Sequence, residues 1–67
     1  MKIYEIPRGS RIFGSWSDGS AYVTFYHLDG MHGYCQTEKG QAVYIAASQD
    51  LVVVAGDYEI VRLEVLL

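Results

Sequence analysis

Ala21-Tyr22-Val23-Thr24-Phe25-Tyr26-His27-Leu28-Asp29-Gly30-Met31-His32-Gly33-Tyr34-Cys35-Gln36 is the stretch on which the fold turns. Residues 21–28 are rich in aromatic and β-branched side chains, which suit a pleated, half-buried surface and predict a strand. Asp29-Gly30 is a preferred pair for a two-residue type I′ hairpin, and residues 31–36 return as the partner strand. A two-residue loop sets the register. It places Leu28 opposite Met31, His27 opposite His32, Tyr26 opposite Gly33, Phe25 opposite Tyr34, and Thr24 opposite Cys35. Cross-strand partners share a face. One predicted face carries Val23, Phe25, His27, His32, Tyr34 and Gln36, an aromatic set with polar members that suits a wet pocket or an interface. The other carries Tyr22, Thr24, Tyr26, Leu28, Met31, Gly33, Cys35 and Thr37, with Leu28, Met31 and Cys35 expected in the core.

The flanking sequence extends the pattern. Residues 2–6 alternate polar and apolar, the period of a strand, until Pro7 removes a ladder donor and opens the turn Pro7-Arg8-Gly9-Ser10. Residues 11–13 form a short strand. Residues 14–20 have loop composition with Trp16 at their centre. Residues 37–40 turn, residues 41–47 form a strand, and residues 48–50 turn again. Residues 51–55 and 58–66 make a last hairpin around Gly56-Asp57, with Val52, Val54, Val61, Leu63 and Val65 on a face expected in the core or a subunit interface. No segment sustains helical periodicity. Turn signals at such short spacing predict an all-β protein with a single domain over residues 1–67: a small antiparallel barrel or sandwich of the SH3-like meander type.

Composition bounds the function. The chain has 67 residues, 51% of them hydrophobic, and a formal net charge of −3. Non-specific nucleic-acid binding relies on many Lys and Arg contacts to phosphate, so nucleic acid, including the RNA that Sm- and SH3-like barrels often bind, is disfavoured as a partner. No apolar run approaches the roughly 20 residues that span a bilayer. Residues 1–6 lack a signal-peptide core, so a cytoplasmic setting is expected. A domain this small buries only about 60% of its unfolded surface and usually needs a staple. The single Cys35 excludes an internal disulfide. The sequence also ends on Leu66-Leu67, apolar residues that a neighbour would cover. Homo-oligomerisation is therefore expected.

Catalytic and metal chemistry are not expected. In the predicted register Cys35 points away from His27 and His32, and two histidines fall short of the four ligands of a structural zinc site. No cation or helix N-terminus activates Cys35. Ser15, Ser17 and Ser20 lack a nucleophile-elbow pattern, and Asp18, Asp29 and Asp57 sit where turns favour Asp. No cofactor is implied. The remaining candidates are aromatic and cationic. Arg8 and Arg11 flank Gly9-Ser10, where two guanidinium groups and backbone N–H groups suit a phosphate. Trp16, Tyr22, Phe25, His27, His32 and Tyr34 supply rings for a base.

The segment Phe25-Tyr26-His27-Leu28-Asp29-Gly30-Met31-His32-Gly33-Tyr34-Cys35 resembles short proteins encoded by bacteriophages and prophages, as does Ile3-Tyr4-Glu5-Ile6-Pro7-Arg8-Gly9-Ser10. The likeness covers about half the chain. It implies a phage accessory protein in the host bacterial cytoplasm. Some small phage β-proteins are counter-defence factors that sequester cyclic or modified nucleotides as homo-oligomers. Two functions follow as expectations. The first is a non-enzymatic homo-oligomer that sequesters a small anionic ligand, a cyclic nucleotide among the candidates, through Arg8, Arg11, Trp16 and the hairpin aromatics. The second is a protein-interaction module, an inhibitor of a host protein or a small structural subunit, that uses the aromatic sheet face.

Overall fold

The computed structural model describes residues 1–16 and 19–61, and for Trp16 the backbone only. Six strands follow a short N-terminal turn: β1 (Arg11–Trp16), β2 (Gly19–Asp29), β3 (His32–Thr37), β4 (Ala42–Ala46), β5 (Leu51–Val54) and β6 (Asp57–Ile60). They form one sheet in the order β4-β3-β2-β1-β6-β5. The all-β expectation holds, and no α-helix occurs among the described residues. Two details differ from the expected barrel. The sheet stays open, with β4 and β5 as its edges. It is also mixed: β6 runs parallel to β1, pairing Ile12 with Tyr58 and Phe13 with Glu59. β2 occupies one edge of β1, and the other edge is filled from the far end of the chain.

The N-terminal segment is not a strand. Ile3–Glu5 is a 3₁₀ turn, in which the Glu5 N–H donates to the Lys2 carbonyl at 2.9 Å. The Glu5 carboxylate accepts from the Lys2 backbone N–H at 2.6 Å. A 3₁₀ turn has three residues per turn. Ile3 and Ile6 therefore fall on one side, and both are buried. Spacing by three outweighed the alternation. At the outer edge of β5, Met1 exchanges both backbone hydrogen bonds with Leu51.

The Gly14–Ser20 stretch is mostly strand rather than loop. Gly14, Ser15 and Trp16 pair with Ala21, Ser20 and Gly19. Ser17 and Asp18 lie outside the described residues, as do Leu63 and Val65 of the last predicted strand.

The central hairpin keeps its place but changes its register. Asp29 pairs with His32, so the two loop residues are Gly30 and Met31 rather than Asp29 and Gly30. Gly30 has φ +60° and Met31 a negative φ, the signs of a type II′ turn with Gly at its first central position. A β-bulge then inserts Tyr26 between the pairs Phe25–Cys35 and His27–Tyr34. The extra residue turns Phe25 and His27 to opposite faces, whereas strict alternation puts them together. The expected pairs His27–His32, Tyr26–Gly33, Phe25–Tyr34 and Leu28–Met31 do not form. The last hairpin also shifts: Ala55 and Gly56, both at positive φ, make the turn, and Asp57 already belongs to β6.

The core follows from this register. Ile3, Ile6, Ile12, Val23, Phe25, Cys35, Ile45 and Leu51 are buried, and among the described residues no polar side chain is buried with them. Leu28 and Met31, expected inside, are 49% and 77% exposed because the shifted turn puts Met31 in the loop and Leu28 near the end of the hairpin, past the core. Val52 and Val54 are exposed too, since β5 is an edge strand whose outer side meets only Met1, at Leu51. Val61 is half-buried.

Candidate functional site

The sheet face opposite the core collects an exposed aromatic cluster. β3 contributes Tyr34 and His32, β2 contributes His27 and the bulged Tyr26, and β4 contributes Tyr44. The His27 and Tyr34 rings stack at 5.0 Å between centroids and 27° between planes. Tyr34 is also flanked by Tyr44 at 5.5 Å and by Tyr26 at 6.1 Å. His32 stands edge-on to Tyr44 at 6.4 Å. Tyr34 is half-buried at the centre, and the Gln36 amide donates to its hydroxyl at 2.7 Å. The surrounding rings are exposed, Tyr44 at 55%. Local sequence explains the arrangement. In β4, Val43 and Ile45 face inward, and alternation turns Ala42, Tyr44 and Ala46 outward.

Arg11 and Tyr22 lie on the same face, farther along β1 and β2. The Arg11 guanidinium carbon sits 4.3 Å from the Tyr22 ring centroid, a cation–π contact, and Phe13 packs edge-on against Tyr22 at 5.0 Å. Phe13, Tyr22, Val54, Asp57, Tyr58 and Glu59 line an open groove of about 200 Å³. Its two carboxylates do not suit an anion.

The expected site residues thus divide. His27, His32 and Tyr34 come together, but His27 faces Tyr34 and His32 faces Asp29 rather than each other. Tyr22 and Arg11 share their face. Phe25 does not belong: it is 4% exposed, on the core side of the bulge. The Trp16 side chain lies outside the described residues. Arg8 is exposed in its turn, but the amides meant to help it are occupied. The Gly9 N–H donates to the Phe25 carbonyl at 2.8 Å, and the Ser10 N–H donates to the Pro7 carbonyl at 3.2 Å. Tyr26 and Tyr44 complete the cluster and were not singled out from sequence. Outward alternation in β4 is the signal for Tyr44; the bulge at Tyr26 has no sequence signal we can name.

No protein family, curated protein or solved structure matches this chain. The site is therefore read from its own geometry.

Cys35 behaves as the sequence implied. It is fully buried, and its thiol contacts the Gly33 carbonyl at 3.7 Å. Burial pushes its pKa up from 9.0 to about 11. Two outcomes are expected. Native protein resists alkylation at pH 8 and reacts on denaturation, as followed by intact mass. Stability also falls as pH rises from about 9 towards 11, because the unfolded chain loses the thiol proton first and the folded chain keeps it. A Cys35→Ala variant should lack that part of the pH dependence in urea titrations.

Among the described residues, the one ion pair joins Lys2 Nζ and Asp50 Oδ1 at 2.6 Å, and it is exposed. Hydrogen bonding between the two raises the Lys2 pKa and lowers that of Asp50. The Lys2 ammonium also donates to the Ser48 carbonyl at 2.8 Å, which fastens the N-terminal segment to the approach to β5.

Proposed function

We propose that this chain is a non-catalytic recognition module that binds a protein partner through its outer aromatic face. The observation that carries this reading is the ring cluster around Tyr34, displayed on a broad sheet face rather than in a pocket. Tyrosine suits such a role: it offers a large apolar surface and a polar tip, with few rotatable bonds to immobilise. Interfaces are anchored by a few such residues near their centre. A host protein is the partner that the resemblance of residues 3–10 and 25–35 to phage-encoded proteins implies.

One observation favours the second reading, sequestration of a nucleotide signal. Arg11 shares the face with the rings, and stacked rings beside a guanidinium suit a base and its phosphate. Against it stand the occupied amides of the Arg8 turn and the carboxylates of the groove.

Native mass spectrometry of protein purified from expressing cells separates the two. Tyr34→Ala with Tyr44→Ala should weaken a retained protein partner by about 2 kcal/mol or more, roughly thirtyfold, with circular dichroism unchanged. A retained mass of a few hundred daltons (order of magnitude for one nucleotide), lost on Arg11→Ala, would support sequestration instead. Equal retention of a protein partner by wild type and the double variant would sink the first reading, and a small mass kept by Arg11→Ala would sink the second.

A further inference from the structure

The outer edge of β5 has an unusual combination of features. Val52, Val53 and Val54 are 46%, 59% and 47% exposed, on both faces of the strand. Edge strands are normally guarded by charge, proline or a bulge, because their unpaired backbone groups invite another strand. β5, Leu-Val-Val-Val, has none of these.

The hydrogen-bond phase of β5 fixes what can dock there. The Asp50 carbonyl accepts from the Val61 N–H at 3.0 Å, so Asp50 turns its carbonyl towards the β6 side. Leu51 turns both its backbone groups the other way, where Met1 takes them. Outward groups recur every second residue. Val53 therefore presents its N–H and C=O on the same outer edge, with no partner among the described residues. The next outward position, Ala55, has φ +51° and has left the strand. Val53 is the one ladder position that remains.

We propose that a second copy of this chain docks antiparallel on β5, with a two-fold axis passing between the two Val53 residues. The two Val53 exchange backbone hydrogen bonds, and Val52 of each copy faces Val54 of the other. A two-fold contact uses the same patch twice, so the patch must complement itself. This one does: each copy's three exposed valines cover the other's. Charge agrees. Only residues 52–54 of the two copies meet, none of them charged, and the neighbouring Asp50 is already paired with Lys2 at 2.6 Å. Met1 already fills the outer edge at Leu51, so the ladder between copies is confined to residues 52–54, and the Ala55-Gly56 turn leads each chain back to its own β6. The seam lies on β5, whereas the rings around Tyr34 stand on β2, β3 and β4, at the other end of the strand order.

The test uses the full chain in two single variants, Val52→Cys and Val54→Cys. In an antiparallel ladder the two positions form a non-hydrogen-bonded pair with Cα atoms about 4.5 Å apart, within disulfide reach. Mild oxidation of the mixed variants should give a disulfide-linked dimer, seen by intact mass. Neither variant alone, nor wild type with its buried Cys35, should give it. In sedimentation, Val53→Lys should raise the dimer dissociation constant roughly tenfold or more, because like charges then lie directly opposite. Its circular dichroism should match wild type. A wild type that sediments as a monomer overturns the proposal and hands the edge to a foreign strand or to the chain's own residues beyond Val61. A dimer that ignores Val53→Lys, or that gives no mixing-dependent disulfide, overturns it equally.

Discussion

Ile12→Ala is expected to leave the chain largely unfolded near physiological temperature. Ile12 is fully buried in β1 and pairs with Val23 on one side and Tyr58 on the other. Truncating a buried isoleucine to alanine costs about 2–5 kcal/mol, through lost transfer energy and the cavity left behind. At about 0.05–0.15 kcal/mol per residue, a 67-residue chain holds roughly 3–10 kcal/mol in total. The loss therefore consumes much of the stability. Urea unfolding followed by aromatic circular dichroism measures it directly. Ile12→Val, which removes one methylene, should cost about 0.5–1.5 kcal/mol and stay folded. Equal midpoints for wild type and Ile12→Ala would mean that β1 does not carry the core.

Gly33→Ala is the second large effect, and it acts by crowding. A Cβ at Gly33 would meet the Ile3 Cδ1, with Cγ1 at 3.0 Å and Cγ2 at 3.3 Å. Ile3 is fully buried, so its side chain has nowhere to retreat. Overpacking of this kind costs about 1–3 kcal/mol. At about 4–8 °C per kcal/mol for a domain of this size, the melting temperature should fall by roughly 4–24 °C. Ile3→Val removes the colliding terminal methyl. The double variant Ile3→Val with Gly33→Ala should be less destabilised than the two single costs added together. Strict additivity would show that the N-terminal turn does not rest on β3.

Much of this fold was legible because strands announce themselves through β-branched and aromatic residues with punctuating turns. β2, β3, β4 and β5 appear within a few residues of their expected bounds. The failures have physical causes. Ile3 and Ile6 satisfy both an alternating reading and a three-residue period, and only tertiary burial decides between them. Asp29-Gly30 is a good type I′ pair, but Gly30-Met31 closes an equally tight loop; that slip moves the partner of His27 from His32 to Tyr34, two residues along, so the faces keep their grouping. The bulge at Tyr26 is what turns over the part of β2 that precedes it, Phe25 included. That is why His27, His32 and Tyr34 were rightly grouped while Phe25 was not. At Gly9-Ser10 the backbone N–H groups expected beside a phosphate are already taken, by the Phe25 and Pro7 carbonyls, because a glycine turn near a long strand finds backbone partners. The parallel partner of β1 lies far along the chain, where no local pattern points to it.

That parallel pairing also shapes how the chain reaches its native state. β1, β2, β3 and β4 are linked as neighbours and can zip up from nearby residues, and β5 and β6 form a hairpin of their own. The ladder from Ile12 to Tyr58 must close a loop spanning most of the chain. Non-local closure of this kind slows folding, since its entropy is lost before the contacts return anything. The chain is thus kinetically two pieces, a four-strand meander and a terminal hairpin. The encounter between them sets its folding time.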